Sequence, residues 1–179
     1  RYDYIIGNPP YIPITKLTEE EKAIYRRNFQ TAKSRFDLYI LFFEQALKSL
    51  KNDGRLVFIT PEKFLYVAAA KNLRQLLSNN WVEEIHFIKE GTFGNLVTYP
   101  VITTISNKSG NGLTKVISRN GMAVELSLPR DGGSWLPHIN GYRTIKNDCC
   151  LEDISVRVSC GVATGADDED GRGVKRFGH

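Results

Sequence analysis

Hydrophobic residues in the first part of the chain form short apolar runs separated by stretches with helical spacing. Residues 55–60 contain an uninterrupted apolar run, the pattern of a strand buried on both faces of a sheet. Residues 2–7, 81–88 and 101–106 predict three further strands. Apolar residues between positions 38 and 50 recur on one face of a helix. This succession of strands and helices predicts an α/β fold with a doubly wound sheet.

Side chains with capping chemistry set the limits of the first two predicted helices. Thr18 and Glu21 have the spacing of a capping box, which predicts a helix that ends near Phe29. Asp37 can cap a second helix. The Asn-Asp-Gly sequence at residues 52–54 carries the turn chemistry that we expect at the end of this helix.

A third helix is predicted after the second strand. Thr60 is expected to be its N-cap and Pro61 its first residue, and the helix is expected to reach about Ser78. On that basis Glu62 is interpreted as an acidic residue in the first turn that interacts favourably with the helix dipole.

The character of the sequence changes after residue 107, where glycine-rich turns separate short predicted strands. We therefore expect residues 1–126 to form one domain and residues 127–179 to begin another. The chain also opens at Arg1 almost directly on a strand, although a strand of a parallel sheet needs neighbours that bury both of its faces. We expect this sequence to be a piece of a longer protein.

Three chemically distinctive segments follow the first three strands. Asn8 lies just beyond the first strand, Thr60 ends the second, and residues 90–95 (Glu-Gly-Thr-Phe-Gly-Asn) follow the third. Ligands of open α/β sheets bind beyond the carboxyl ends of the strands. The three segments therefore predict a ligand site at one edge of the sheet.

Composition and charge are those of an ordinary globular protein, with 41% hydrophobic residues, 25% charged residues and a net charge of +4 in 179 residues. No apolar run approaches the roughly 20 residues needed to cross a bilayer, so we expect no membrane association. Cys149, Cys150 and Cys160 lack metal-ligand spacing and are expected to be free thiols in the cytoplasm. His86 has no second histidine placed to share a metal and is interpreted as structural, so no metal is expected.

The most informative motif is Asn8-Pro9-Pro10-Tyr11, at the end of the first strand. A turn is the plain interpretation, because proline cannot donate to a sheet. However, the Asn8 amide oxygen and the Pro9 carbonyl, held rigid by Pro10, also offer two hydrogen-bond acceptors and no base. Such a pair suits an exocyclic NH2 group, because accepting both hydrogens localises the nitrogen lone pair for attack. Tyr11 adds a flat ring on which a base can stack.

This motif resembles the Asn-Pro-Pro-Tyr motif of amino-group methyltransferases that use S-adenosylmethionine. The stretch from residue 34 to 77 is similar to the central part of bacterial DNA adenine-N6 methyltransferases of the gamma order, found in restriction–modification systems. The resemblance covers roughly residues 1–107, and residues 150–168 more weakly. It implies the C-terminal half of a Rossmann-like methyltransferase sheet, followed by the start of a target recognition domain. The family's glycine-rich cofactor loop and acidic ribose ligand precede the motif and are absent from this sequence.

The resemblance implies roles for a few further residues. Phe93 corresponds to an aromatic residue that packs against the extruded adenine, although a core phenylalanine that anchors a loop is the alternative. Asp37 and Tyr39 match a segment thought to line the cofactor pocket, but we favour the capping role for Asp37. Residues 159–168 resemble the opening of the recognition domain, in which Gly161, Thr164 and Gly165 recur. The charged, glycine-rich sequence after them departs from the family, so recognition residues cannot be assigned.

A basic segment follows the motif. Its basic residues are Arg26, Arg27, Lys33 and Arg35, and aromatic residues are interleaved with them. These side chains could contact DNA phosphates beside the flipped base. An ordinary solvated helix face explains them equally well.

The sequence therefore predicts transfer of a methyl group from S-adenosylmethionine to N6 of a flipped adenine in double-stranded DNA. Asn8 is expected to touch the cofactor, and the resemblance places the family's glycine-rich loop and acidic ribose ligand before Arg1. The implied partners are DNA and a restriction endonuclease subunit or fused nuclease domain. Two alternatives stay open: a protein-glutamine or RNA methyltransferase, and a non-catalytic DNA-binding module of a restriction complex.

Overall fold

The structure, a computed structural model, describes residues 1–33, 35–89, 99–108 and 110–140. The strands in these ranges are β1 (Tyr2–Gly7), β2 (Leu50–Pro61), β3 (Trp81–Phe87), β4 (Pro100–Ser106), β5 (Thr114–Ile117) and β6 (Ala123–Leu126). The α-helices are α1 (Glu19–Asn28), α2 (Leu38–Ser49), α3 (Lys71–Ser78) and α4 (Leu136–Ile139). Short 3₁₀ helices span Ile14–Lys16, Glu62–Leu65 and Ala68–Ala70.

The described strands form one six-stranded sheet in the order β1-β2-β4-β3-β5-β6. β1 is parallel to β2, whereas β4 lies antiparallel between β2 and β3. β5 is parallel to β3, and β6 returns antiparallel at the far edge. The α/β fold class and the four strands predicted from the apolar runs are confirmed. Because β4 reverses direction, the sheet is mixed, and β1, β2, β3 and β5 all point the same way.

The first predicted helix is confirmed together with its capping box. The Thr18 backbone N–H donates to the Glu21 carboxylate over 2.8 Å, and the Glu21 N–H donates back to the Thr18 hydroxyl over 3.2 Å. These bonds satisfy amide groups that the first turn of any helix leaves unpaired. The helix then ends at Asn28, one residue before the predicted limit.

The second helix ends earlier than predicted. α2 stops at Ser49, and the backbone is already extended from Leu50 onward. Within residues 52–54, Asp53 adopts a positive φ of 65°, so the predicted turn chemistry is present but lies inside the bounds of β2. There the backbone N–H of Asn107 donates to the Gly54 carbonyl over 2.9 Å, a long-range bond that local sequence does not encode.

The prediction that a helix starts at Thr60-Pro61 is wrong. Both residues belong to β2, whose pairing with β4 runs as far as Pro61 opposite Pro100. The Glu62 amide then donates to the Tyr99 carbonyl over 2.9 Å, which extends the link between the two strands by one more bond. Two 3₁₀ helices intervene before α3 begins at Lys71, and α3 ends at Ser78 as predicted.

The core lies where α2 packs against β2 and α3 packs against β3. Four buried rings form a continuous aromatic chain: the Phe43 ring lies 5.1 Å from Phe58 and 5.5 Å from Phe64, and Phe64 lies 6.3 Å from Trp135. Burying a large apolar side chain contributes about 1.5–3 kcal/mol. This cluster therefore holds together β2, α2, the 3₁₀ helix Glu62–Leu65 and the segment before α4.

β1 forms one edge of the described sheet, and one of its two faces is apolar and exposed. Tyr2, Tyr4 and Ile6 are exposed along it, close to the exposed Phe42 of α2. Such an edge favours association with a further strand.

None of the helices in the described ranges has the length and hydropathy to span a bilayer. The predicted domain division at residue 126 stays a prediction, since residues 141–179 lie outside the described ranges.

Candidate active site

The carboxyl ends of three strands meet at one edge of the sheet. Gly7, at the end of β1, pairs with Phe58 of β2, and Pro61, at the end of β2, lies opposite Pro100. Phe87, at the end of β3, pairs with Val101. The convergence that the sequence predicted is therefore confirmed for the segments after β1 and β2. Residues 90–95, the third predicted segment, lie outside the described residues.

The segment immediately after β1 presents two hydrogen-bond acceptors. Asn8 is exposed, and its side chain has no hydrogen-bond partner within the part of the chain that the structure describes. Pro9 is buried, and its carbonyl has no partner among the same residues. Pro10 follows as an exposed residue whose ring fixes the backbone φ. The Asn8 amide is therefore accessible to a ligand, whereas the Pro9 carbonyl is an unpaired acceptor of a buried residue.

The Tyr11 side chain is fixed at both ends and stays accessible. Its hydroxyl donates to the Ile59 carbonyl over 3.1 Å, and its ring meets Tyr39 edge-on with centroids 6.1 Å apart. The residue is nevertheless 36% exposed. Burial raises the pKa of Tyr11 above its ordinary value, which keeps the hydroxyl a hydrogen-bond donor. An accessible aromatic surface is thus held beside the two acceptors.

A cavity of about 400 Å³ opens beside Tyr11, and its aromatic lining comes from Tyr11, Tyr66 and Tyr99. Asp37 and Lys63 add one charge of each sign to the lining. Small-molecule pockets of this kind combine apolar walls with a few polar groups that fix orientation. The size and the aromatic walls suit a planar ring.

Asp37 precedes α2 as its N-cap residue, but its side chain makes no capping hydrogen bond. Asp37 therefore occupies the predicted N-cap position, but the predicted hydrogen bond from its carboxylate to the helix is not formed. Burial raises the pKa of the Asp37 carboxyl, and the nearby Lys63 ammonium partly offsets that rise. Asp37 is one of the residues that line the Tyr11 cavity.

A second cluster, centred on Arg119, escaped the sequence analysis. Arg119 lies in the turn between β5 and β6, and its guanidinium donates to the Glu62 carboxylate. The same guanidinium lies 5.4 Å from the Phe87 ring centroid and 5.2 Å from that of Tyr99. Glu62 is thus an ion-pair partner. It also lies in the first turn of a helix as predicted, but this is the short 3₁₀ helix Glu62–Leu65, and the α-helix starts only at Lys71. The partners of Arg119 are distant along the chain, so no local spacing of residues in the sequence could reveal this cluster.

The predicted basic residues Arg26, Arg27, Lys33 and Arg35 are all exposed. Their segment is attached to the chain that follows Tyr11: the Ile14 amide donates to the Phe36 carbonyl over 3.0 Å, and the Leu38 amide donates to the Ile12 carbonyl over 2.7 Å. Exposure and this attachment are compatible with contact to a polyanion bound at the site. Their role in DNA binding stays a prediction.

Several predicted residues lie outside the described part of the chain: Phe93, Cys149, Cys150, Cys160, Gly161, Thr164 and Gly165. The stacking role of Phe93 and the recognition-domain assignment therefore stay predictions.

The fold is that of class I methyltransferases. A Listeria monocytogenes protein assigned to the class I S-adenosylmethionine-dependent methyltransferases superposes with a TM-score of 0.50 at 17% identity, over 61% of this chain and 32% of that one. The restriction–modification enzyme MmeI, solved with DNA, superposes with a TM-score of 0.54 at 19% identity, over 70% of this chain and 18% of that one. Both confirm the predicted Rossmann-like α/β architecture.

Sequence comparison then identifies the family. The model of the Eco57I restriction-modification methylase family matches residues 1–93, and the chain belongs to this family. It is 36% identical to the restriction enzyme and methyltransferase RM.Eco57I of Escherichia coli, over 61% of this chain and 11% of that protein. It is 33% identical to the methyltransferase M.XhoI of Xanthomonas vasicola, over 72% of this chain and 24% of that protein.

A third relative, M.PaeR7I of Pseudomonas aeruginosa, is 27% identical over 93% of this chain and 34% of its own length. The chain thus spans between 11% and 34% of the length of these curated relatives.

Proposed function

We propose that this chain carries the catalytic corner of a DNA methyltransferase that transfers a methyl group from S-adenosylmethionine to N6 of adenine. The proposal depends on one observation, the unpaired hydrogen-bond acceptors in the segment after β1. The Asn8 amide is exposed, both it and the Pro9 carbonyl lack partners among the described residues, and Tyr11, two residues after Pro9, lines the cavity. Membership of a restriction–modification methylase family supports DNA as the substrate.

The two acceptors provide the activation that an adenine amine requires. In adenine, the N6 lone pair is delocalised into the ring, so the nitrogen is a poor nucleophile. The Asn8 side-chain oxygen and the Pro9 carbonyl would each accept a hydrogen bond from one N6 hydrogen, which draws the nitrogen toward tetrahedral geometry and localises the lone pair. Once N6 carries the methyl group, it would release one proton to solvent, because neither acceptor is a base. Fixed acceptors aimed at developing charge need no reorganisation during the reaction.

The Tyr11 ring provides the surface on which the extruded base rests. Rotating a base out of duplex DNA costs a few kcal/mol. Stacking on an aromatic side chain returns about 1–3 kcal/mol per base. Stacking on Tyr11 therefore offsets much of the cost of extrusion, and the predicted contact with Phe93 adds to it.

S-adenosylmethionine supplies an electrophilic methyl group when it is bound. The Asn8 amide, exposed and without a hydrogen-bond partner among the described residues, fits the contact that the sequence predicts with this cofactor. Alignment of the amine is the contribution that the proposal assigns to this chain.

The remaining features of the proposal follow from the substrate. Double-stranded DNA meets the exposed basic residues Arg26, Arg27, Lys33 and Arg35 through its phosphates. In the cell, the full-length gene product acts in the cytoplasm within a restriction–modification system, with a nuclease subunit or a fused nuclease domain.

The test is product analysis with the full-length gene product. The protein is incubated with isotope-labelled S-adenosylmethionine and, in parallel, with duplex DNA, RNA and a translation release factor. Digestion of the DNA to nucleosides is expected to yield labelled N6-methyladenine. Label in N4-methylcytosine would contradict the choice of base, and label in RNA or protein alone would contradict the choice of polymer.

A further inference from the structure

Arg119 links four elements of the sheet at the edge that holds the proposed site. It lies in the turn between β5 and β6, and its guanidinium contacts Phe87 at the end of β3, Tyr99 just before β4 and Glu62 just after β2. The guanidinium plane is suited to stack on rings while it donates in its own plane to a carboxylate. A lysine at this position would keep the charge but would present no planar group to stack on the two rings.

The ion pair is partly withdrawn from water. The Glu62 side chain is only 17% exposed and the Arg119 side chain 39% exposed. Attraction between partly buried charges is screened less than attraction between exposed charges. The Arg119 Nε atom is buried as well, without a hydrogen-bond partner among the described residues. The guanidinium is therefore held by its surroundings and does not sample solvent freely.

Tyr99 connects this cluster to the cavity beside Tyr11. Tyr99 is 47% exposed, yet its ring lies against Arg119 and also lines the cavity. Its carbonyl is fixed as well, by the Glu62 amide at 2.9 Å. An exposed tyrosine side chain normally exchanges between rotamers. Contact with Arg119 restricts Tyr99 to the position in which it forms a wall of the cavity.

We propose that Arg119 is a positioning residue for the target base, and that it acts by holding the Tyr99 ring against the Tyr11 cavity. This inference rests on the proposed function, because it assigns the cavity to the base. Glu62 serves the same end by orienting the guanidinium. Arg119 itself touches neither the base nor the cofactor in this proposal.

The experiment compares variants of the full-length gene product on duplex DNA that carries 2-aminopurine at the methylated position. Fluorescence of this base reports its extrusion, and KM and kcat are measured on unmodified DNA. Lys115→Met is the matched control, because Lys115 lies on β5 and pairs at 3.2 Å with Glu84, away from the cavity. Thermal denaturation measures the folded fraction, to which all rates are normalised.

Arg119→Met is expected to raise KM by about tenfold or more and to lower the fluorescence signal, because small displacements of positioning groups have large effects. Arg119→Lys keeps the charge opposite Glu62 without the planar stack and is expected to fall between Arg119→Met and wild type. Lys115→Met is expected to match wild type. Normal KM and normal fluorescence in the folded Arg119→Met protein would overturn the proposal and leave Arg119 with a structural role.

A double-mutant cycle keeps the proposal testable if Arg119→Met lowers stability. Tyr99→Leu removes the ring directly and is expected to reproduce the KM change of Arg119→Met. Because both substitutions remove the same wall, the double variant is expected to show no further change, whereas additive effects would contradict the mechanism. A fully active Asn8→Ala variant would instead show that the proposed function fails, so the two failures are distinguishable.

Discussion

The hydroxyl of Tyr11 donates a hydrogen bond to the backbone carbonyl of Ile59 over 3.1 Å. This bond joins the segment after β1 to the last residues of β2, two regions that are 48 positions apart in the chain. Together with the edge-on contact to Tyr39, it sets the orientation of the ring beside Asn8. The aromatic platform is therefore fixed before any ligand binds.

Two substitutions at Tyr11 separate the ring from its hydroxyl. Tyr11→Phe keeps the platform and loses one hydrogen bond, which is expected to lower the free energy of unfolding by about 1 kcal/mol and to leave KM for DNA close to wild type. Tyr11→Ala removes the stacking surface, worth about 1–3 kcal/mol, and is expected to raise KM clearly. Steady-state methylation kinetics and urea denaturation check both. Equal KM values for the two variants would contradict the stacking role.

Glu44 anchors the middle of the basic segment, at Gln30 and Thr31, and its contacts predict a specific pH dependence. Its buried carboxylate accepts hydrogen bonds from the backbone N–H of Thr31 at 3.0 Å, the backbone N–H of Gln30 at 3.1 Å and the Lys48 ammonium at 2.7 Å. Burial alone would raise the pKa of Glu44, but the bonds from Lys48 and Thr31 outweigh it and hold the pKa below its ordinary value. The folded state thus favours the ionised form.

The stability that Glu44 contributes is present above its unfolded pKa and is lost as the pH falls through its lower folded pKa. Glu44→Gln is expected to lower the free energy of unfolding by about 1–3 kcal/mol at pH 7. The difference from wild type is expected to shrink below about pH 4, where glutamate protonates. Denaturation curves across this range check the trend, with the exposed Glu20→Gln as control. A difference that does not change with pH would refute the charged role.

Arg74 joins α3 to two backbone segments and is expected to be critical for stability. Its guanidinium donates to the carbonyls of Phe64, Val67, Gly132 and Gly133 at 2.7–3.0 Å. Arg74→Met leaves these partly buried carbonyls unpaired, so the free energy of unfolding is expected to fall by about 3 kcal/mol or more. Lys71→Met, at an exposed position one turn earlier, is the control. Urea denaturation with equal midpoints for both variants would contradict this role.

The exposed pair Arg26 and Arg27 tests the proposed DNA contact. Removing two phosphate contacts by Arg26→Gln and Arg27→Gln is expected to weaken binding for all sequences alike and to reduce the salt slope of log K by about 0.9 per contact. Lys51→Gln is the control, since Lys51 pairs with Asp3 at 2.9 Å near the start of β2, away from the site. Binding titrations in several salt concentrations give the slope. An unchanged slope would assign the two arginines to an ordinary solvated surface.

Local signals in the sequence were sufficient for much of the fold. The apolar run at residues 55–60 and the capping box at Thr18 depend on neighbouring residues only, so the strand and the helix were predicted correctly. The helix predicted at Thr60-Pro61 was wrong because β4 pairs with β2 up to Pro61, a long-range interaction. The position of β4 between β2 and β3 likewise depends on tertiary packing.

The candidate site was predictable to the extent that its chemistry lies in consecutive residues. Asn8 to Tyr11 form a contiguous motif, and the structure leaves Asn8 and Tyr11 accessible. The contacts of Arg119 with Glu62 and Tyr99 join residues far apart in the chain, and Arg119 lies beyond the stretch that the resemblance covers well. No pattern of spacing connects such residues, so only the folded structure reveals their contact.

The most direct test of the account is the Asn8→Ala variant of the full-length gene product. The Asn8 side chain is exposed and has no hydrogen-bond partner among the described residues, so its removal is expected to leave the melting temperature and DNA affinity close to wild type. Methyl transfer to DNA, measured with labelled S-adenosylmethionine, is expected to fall by at least about a hundredfold, the loss typical for an essential fixed polar group. Methylation at the wild-type rate in this variant would contradict the proposed role of Asn8.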